Sequence, residues 1–322
     1  MAESVTIIVL NWNRPEDTLA CVASLRAMRG PAFDLLLVDN GSTDQSAARL
    51  RAALPDVPLI ANATNLGFAE GNNVGIRQAL AHGAAHVLLL NNDTVVDPGM
   101  LEGLLAAAKA HPRAGFLGAK IFYHAAPERI WMGRPDWDPQ TCRFTHAGLN
   151  APDASAGLDT VAPAAYACGC AMLVRAETIA QIGLMDPRFF CYYEEVDWCF
   201  RGARQNWHSL YVPAAKVWHK VSASSAGGKQ SPVVRYFRTR NSLLWASRNL
   251  APAQRRRVFR NMAAETFDGL GWQEQGAAAR MQRAYWNLLT IQRDPLMRAW
   301  RRGVLDYLLG RFGDAPPAVK RL

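Results

Sequence analysis

At 322 residues, half of them apolar and a fifth charged, the chain is long enough for one large α/β domain plus a smaller appendage, and its composition is neither fibrous nor disordered. No apolar run approaches the roughly 20 residues of a membrane-spanning helix, and Met1-Ala2-Glu3-Ser4 does not open a basic-then-apolar leader, so a cytoplasmic location is expected. The net charge of +9 is uneven: positions 235–322 hold 17 Lys and Arg against 6 Asp and Glu, so a partner for positive charge is to be sought there.

In chain order, continuous apolar runs at 5–10, 35–38 and 87–90, with a weaker one at 57–60, predict strands buried on both faces. Between them, helical spacing marks 15–28, where Leu19, Val22 and Leu25 follow the Arg14-Pro15 start, then 42–54 and 69–80. This alternation predicts an open α/β fold, a doubly wound and mostly parallel sheet flanked by helices, whose ligands bind beyond the carboxyl ends of the strands. The three main strands end in Asn11 and Asn13, in Asp39 and Asn40, and in Asn91, Asn92 and Asp93, so three polar clusters are expected around one crevice.

Farther along, 131–158 reads as a long loop or small hairpin over the crevice, 168–174 as a strand and 177–182 as a short helix. Helices are predicted at 235–249 and 253–268, one or two more within 277–309, and a frayed end at Ala315-Pro316-Pro317. The chain divides into residues 1–222 and a basic helical region, 223–322. Of six scattered cysteines only Cys168 and Cys170 are close, which favours packed, reduced thiols over disulfides or a zinc site.

Five stretches could carry chemistry. In Val38-Asp39-Asn40-Gly41-Ser42, a carboxylate at a strand end either accepts hydrogen bonds from a base or ribose or closes the turn, with Ser42 capping a helix. In Asn65-Leu66-Gly67-Phe68-Ala69-Glu70-Gly71-Asn72-Asn73, two glycines either admit a ligand close to backbone and helix amides or make a plain turn; the pattern is not the dinucleotide fingerprint. In Asn91-Asn92-Asp93, a carboxylate leaving a buried strand either holds Mg2+ or Mn2+ together with water and diphosphate oxygens or serves a turn into Asp97-Pro98. In Tyr192-Tyr193-Glu194-Glu195-Val196-Asp197, three carboxylates beside aromatic rings raise one another's pKa and can supply a general base. A helix there puts Glu194 and Asp197 on one face, with Arg201 a turn beyond Asp197. In Val217-Trp218-His219-Lys220, the imidazole is either a metal ligand or simply packed.

Taken in order, VTIIVLNWNRPEDT, LLLVDNGSTD, NLGFAEGNN, VLLLNNDTVVDPGML, GCAMLVRAETIAQIGLMDPRFFCYYEEVDWCFR, VWHK and YFRTRNSLL resemble the family 2 glycosyltransferases of GT-A fold, most closely their rhamnosyltransferase-like branch, over roughly residues 5–245. The resemblance implies that residues 1–222 form the catalytic domain of an inverting, metal-dependent enzyme using a nucleoside-diphosphate sugar, dTDP-rhamnose or a UDP-hexose. It implies that Asp39, Asn11, Asn13 and Asn40, with Asn65, Gly67, Phe68, Gly71, Asn72 and Asn92, bind the sugar nucleotide. Asp93 is the carboxylate remaining at the family's D-x-D position, and His219 stands near the metal and diphosphate. Glu195 occupies the position of the base, where the family usually has Asp, with Glu194 and Asp197 as alternates or supports. The acceptor implied is a saccharide or lipid-linked saccharide. Arg255-Arg256-Arg257 and Arg260 suit a peripheral site on an anionic inner-membrane surface, or else a homo-oligomer contact. No nucleic-acid partner is expected, because no recognised module is present. The rival readings are a sugar-nucleotide-binding protein with impaired catalysis and a nucleotidyltransferase; the latter lacks its basic glycine-rich loop near the N-terminus.

Overall fold

The computed structural model describes residues 4–155, 157–220, 231–268 and 293–322. The chain forms two compact units: Met1–Trp137, Phe144–Phe190 and Glu194–Ser222 make the first, and Asp138–Arg143, Cys191–Tyr193 and Ala223–Leu322 the second. The boundary expected between 222 and 223 lies outside the described residues, as does the part of the expected helical stretch at 277–292.

In the first unit the non-alternating apolar runs become strands covered on both faces, as a parallel sheet demands. Strand β1 (Val5–Asn11) pairs in parallel with β2 (Asp34–Asp39) and β4 (His86–Asn91), and β2 with β3 (Leu59–Ala61). Helices α1 (Pro15–Arg26), α2 (Ser46–Ala53) and α3 (Gly67–Ala81) make the connections. Helix α2 starts later than the sequence suggests, because Asp44 accepts from the Ser46 amide and holds residues 42–45 in a turn. Helix α3 lies very close to the sheet: a Cβ on Gly75 would stand 2.7 Å from Ile8 Cγ2.

Past β4 come β5 (Thr94–Val96), α4 (Met100–Ala110), β6 (Ala114–Tyr123), β7 (Ala126–Met132), β8 (Arg134–Asp138), β9 (Arg143–Ala147), β10 (Ala162–Ala164), β11 (Ala171–Arg175), α5 (Ala176–Ile182), α6 (Glu194–Ala203) and β12 (His208–His219). The main sheet runs β10-β12-β6-β11-β4-β1-β2-β3, with β5 on β12 and β7 on β6; β8 and β9 form a separate hairpin. Parallel pairing therefore runs through β3-β2-β1-β4 and again between β6 and β12, with β11 entering antiparallel between β4 and β6. That insertion matters for the site: the turn at 168–170 arrives where β4 leaves, and the Asn91 amide donates to the Cys170 carbonyl at 2.9 Å. The stretch expected as a long loop or small hairpin at 131–158 holds the end of β7 and the β8–β9 hairpin. Strand β6 escapes a sequence reading because Gly115, Gly118 and Lys120 interrupt its apolar run; the Lys120 ammonium is buried and paired with Asp153 at 2.5 Å and Asp159 at 3.3 Å.

The second unit contains α7 (Pro232–Asn249), α8 (Pro252–Asp268), α9 (Pro295–Leu308) and α10 (Pro317–Lys320). Ser231 and Asp294 cap α7 and α9, accepting from the Val234 and Met297 amides, and proline sets the first turn of each. The two helices cross at Gly303, where a Cβ would meet the Tyr236 carbonyl at 2.9 Å. The end expected to fray is instead docked: Pro316-Pro317 opens α10, and Ala315 and Val319 are buried. Among the described residues no helix is long and apolar enough to cross a membrane.

Candidate active site

The carboxyl ends of β1, β2 and β4 meet in one hydrogen-bonded cluster. Asp39 Oδ1 accepts from Asn11 Nδ2 at 2.7 Å and from Ser42 Oγ at 2.6 Å, while its Oδ2 accepts from the Ser42 amide at 3.1 Å. Asn11 Oδ1 in turn accepts from Thr18 Oγ1 at 2.7 Å and from Asn92 Nδ2 at 3.3 Å. Asn13 has a left-handed backbone (φ 53°); its amide donates to Ser42 Oγ, and its side-chain oxygen accepts from the Thr43 amide. Asn40 reaches the next loop, donating to Asn65 Oδ1 at 3.1 Å and to the Gly67 carbonyl at 2.9 Å. Asp39 retains acceptor capacity beyond these three bonds.

Next to Asn92, Asp93 Oδ1 lies 3.0 Å from His219 Nε2 on β12, and both residues are buried. Register places them together, since β12 pairs with β5 through His219 and Thr94. The Trp131 ring packs edge-on to the imidazole, 4.6 Å between centroids, and His219 Nδ1 is buried with no hydrogen-bond partner among the described residues. A divalent ion fits this pair. Two donors about 3 Å apart match neighbouring ligands of an octahedral ion with bonds near 2.1 Å. Among the described residues no group of three or more His, Cys, Asp or Glu is placed to hold a metal, so the remaining donors would come from diphosphate and water.

Glu194 and Glu195 open α6. Glu194 is buried, and its Oε2 has no hydrogen-bond partner among the described residues. Burial first, and the neighbouring Glu195 second, push its carboxyl well above the usual glutamate range. Glu195 is half-buried, and its Cβ lies 3.8 Å from where a Cβ on Gly169 would be. The 168–170 turn is thus shared: Cys170 bonds the end of β4, which leads to Asp93, and Gly169 faces Glu195. The approach to α6 is strained, with Phe190, Tyr192 and Tyr193 at φ 64°, 71° and 74°. Each bulky residue held there costs roughly 1–2 kcal/mol. Asp197 points into the protein, where the Arg201 guanidinium donates to it at 2.9 Å and also reaches the Ile182 and Leu184 carbonyls.

The glycine-rich stretch needs its glycines, but the group they admit is the protein. Gly67 (φ 78°) would put a Cβ 2.5 Å from the Phe190 carbonyl, which accepts from the Phe68 and Ala69 amides. Gly71 lies against Asn40 and Leu10, and Asn72 donates to the Phe68 carbonyl. Asn11 is likewise fully engaged and buried, so it arranges Asp39 and Asn92. Thr18 belongs to the cluster although no role was expected of it. Its signal is a polar residue at the start of the buried α1 stripe that continues through Val22 and Leu25. Lys220, whose Nζ binds Asp17 at 2.6 Å, had no comparable signal. Burial pushes the Cys21, Cys168 and Cys199 thiols up to about 12, which makes them packing groups.

The family described as "Glycosyl transferase family 2" matches residues 6–176. The chain is 29% identical over 249 residues to the N-acetylglucosaminyl-diphospho-decaprenol L-rhamnosyltransferase of Mycobacterium tuberculosis, spanning 70% of this chain and 78% of that protein. It is 25% identical over 224 residues to the dTDP-rhamnosyl transferase RfbF of Shigella flexneri, spanning 68% and 72%. In fold it is similar to a mannosyltransferase of Pyrobaculum calidifontis solved with GDP-Man and Mn2+, with a TM-score of 0.56 at 13% identity over 95% of this chain and 87% of that one.

Proposed function

The chain belongs to glycosyl transferase family 2, and from that premise we propose that it moves a sugar from dTDP-rhamnose or a UDP-hexose to a saccharide or lipid-linked saccharide with inversion. That it is a glycosyltransferase using a sugar-nucleotide donor follows from its family and its rhamnosyltransferase relatives. The observation that carries the finer reading is the 168–170 turn, which ties the strand end leading to Asp93 to the face presenting Glu195.

Asp39, positioned by Asn11 and Ser42, receives the base or ribose, with Asn13 and Asn40 shaping the same wall. Asp93 and His219 would hold Mg2+ or Mn2+ with the diphosphate, and the ion supplies positive charge opposite the leaving group. Burial raises the Glu194 carboxyl well above the usual glutamate range, and the half-buried Glu195 beside it is the member assigned as base. Glu195 takes the proton from the acceptor hydroxyl as that oxygen attacks the anomeric carbon. The bond to the diphosphate oxygen breaks on the opposite face, and its electron pair leaves with the nucleoside diphosphate. Asp197, locked to Arg201, supports α6. A donor-binding protein without catalysis is not favoured, since both the Asp93–His219 pair and the glutamate pair are in place.

For the acceptor, the second unit offers a groove lined by Leu243, Ala246, Arg255, Arg256, Phe259 and Arg260, with Phe259 and Leu308 exposed. Guanidinium groups beside exposed apolar side chains suit an anionic bilayer surface. Thermal-shift measurements with dTDP-rhamnose and UDP-hexoses, with and without Mn2+, test the donor. One of them should stabilise the protein more with the metal than without it, and a flat response to all defeats the assignment. Sedimentation with anionic liposomes tests the surface, and no binding at low salt removes it.

A further inference from the structure

We propose that Trp131 is the residue that receives the transferred sugar of the donor: its indole ring packs on the sugar's C–H face, and its N–H donates to a sugar hydroxyl. The inference rests on the reading of the Asp93–His219 pair as the place of the ion and the diphosphate, and it names the side chain that meets what the diphosphate carries.

Trp131 owes its aim to an irregularity in the sheet. Strand β7 pairs with β6 through Met132 and Ile121 and then through Ile130 and Phe122, so Trp131 is an extra residue that the partner strand does not oppose. An extra residue of this kind bends the strand and redirects its side chain, and such bulges recur beside active sites. Its neighbours hold it firmly. Ile130 is fully buried in a cluster with Phe122, Leu158 and Tyr211. The Ile130 amide donates to the Ala151 carbonyl at 3.0 Å, and its carbonyl accepts from the Asn150 amide at 2.8 Å. Two residues past the bulge, a Cβ on Gly133 would stand 2.3 Å from the Ala147 carbonyl oxygen, so the strand end has no room to shift that way. The side chain redirected by the bulge meets the His219 imidazole, with 4.6 Å between centroids and 64° between the planes.

Its hydrogen bonding sets it apart from three other tryptophans of the same unit. Trp198 donates to the Gly183 carbonyl, Trp207 to Gln181 Oε1 and Trp218 to the Pro127 carbonyl. Trp131 is half-buried, yet its indole N–H has no acceptor among the described residues. An apolar body with one unspent polar handle is the combination that ligand pockets use to fix orientation. The sugar of a nucleoside-diphosphate sugar hangs from the distal phosphate, so a diphosphate held at Asp93 and His219 brings the sugar to the side chains around that pair, and Trp131 is in contact with it. A pyranose offers a C–H face to the ring and hydroxyl oxygens to the N–H. The base and ribose, by contrast, are assigned to Asp39 at the end of β2.

Calorimetry on the full chain with Mn2+ tests this with two probes. One is whichever of dTDP-rhamnose and the UDP-hexoses gives the largest thermal shift, and the other is the nucleoside diphosphate it contains, dTDP or UDP. Trp131→Ala should weaken binding of the sugar nucleotide by roughly ten- to a hundredfold and that of the free nucleoside diphosphate by less than about twofold. Trp131→Phe, which keeps a ring and lacks the N–H, should fall between, about three- to tenfold weaker for the sugar nucleotide. Where Trp131→Ala does not accumulate as folded protein, Trp131→Leu, which keeps apolar bulk without ring or donor, carries the same comparison. A role confined to packing against His219 gives another pattern: both probes weaken equally, and the Mn2+ dependence of nucleoside-diphosphate binding shifts with them. That result overturns the proposal. If the wild-type chain binds neither probe, the donor reading falls and the proposal with it; if the wild-type chain binds both and Trp131→Ala matches it on the sugar nucleotide, the proposal falls alone.

Discussion

Two regions at the same sheet edge satisfy their buried polar groups in opposite ways. Around Asp39 the described protein answers its own demands: Asn11, Ser42, Thr18 and Asn92 bond one another in a closed chain. At the other end, Glu194 Oε2 and His219 Nδ1 are buried with no hydrogen-bond partner among the described residues. Paired groups hold a shape, whereas unpaired ones raise the energy of the folded state and are tolerated where chemistry needs them. Under the proposed function, the Asp39 cluster would give the nucleotide a rigid wall and the Glu194–His219 end would serve the reaction.

The sharpest way to break this contrast is Glu195→Gln, expected to lower kcat by about 10²–10⁴-fold while the donor dissociation constant, read by calorimetry, stays within about threefold. A matching loss of donor affinity would move Glu195 to the binding side. Asp93→Ala should come next, lowering the Mn2+-dependent rate by at least roughly 10²-fold and weakening the Mn2+ dependence in a metal titration. Asp39→Ala probes the paired end: it strands the Asn11 and Ser42 donors and should cost about 1–3 kcal/mol in chemical unfolding. Unchanged stability there would show that the network is not what holds the wall.

The smallest expected effect has the opposite sign. Glu194 has a raised carboxyl pKa in the folded state, so the folded protein binds a proton more tightly than the unfolded chain does, and stability falls as pH rises from the ordinary glutamate value to the raised one. Glu194→Gln should therefore raise the melting temperature, more at pH 8 than at pH 5. A variant less stable at both pH values would show that Glu194 makes contacts the amide cannot replace.

Much of the first hundred residues was legible because each strand is a continuous apolar run and each strand end is polar, a pattern set by burial on both faces. Strand β6 was not, since a lysine and two glycines inside it make sense only with Asp153, Asp159 and close neighbours in place. For Gly67 and Gly71 the sequence left a ligand cradle and a plain turn open, and Phe190, Asn40 and Leu10 fill the space the glycines leave. Asp197, open as an alternate base or a support, is ion-paired to Arg201 one helical turn away, the spacing the sequence showed.

By itself the sequence determined which residue types stand at the ends of buried strands and that a glutamate pair opens a helix, because those depend on neighbours in the chain and on hydrophobic period. Only the tertiary structure decided partners: His219 for Asp93, Lys220 for Asp17 across 203 positions, and Asn241 for the turn before Glu194. Such pairs are fixed by strand register and helix crossing, which bring distant groups within hydrogen-bond reach without leaving any spacing to be read along the chain.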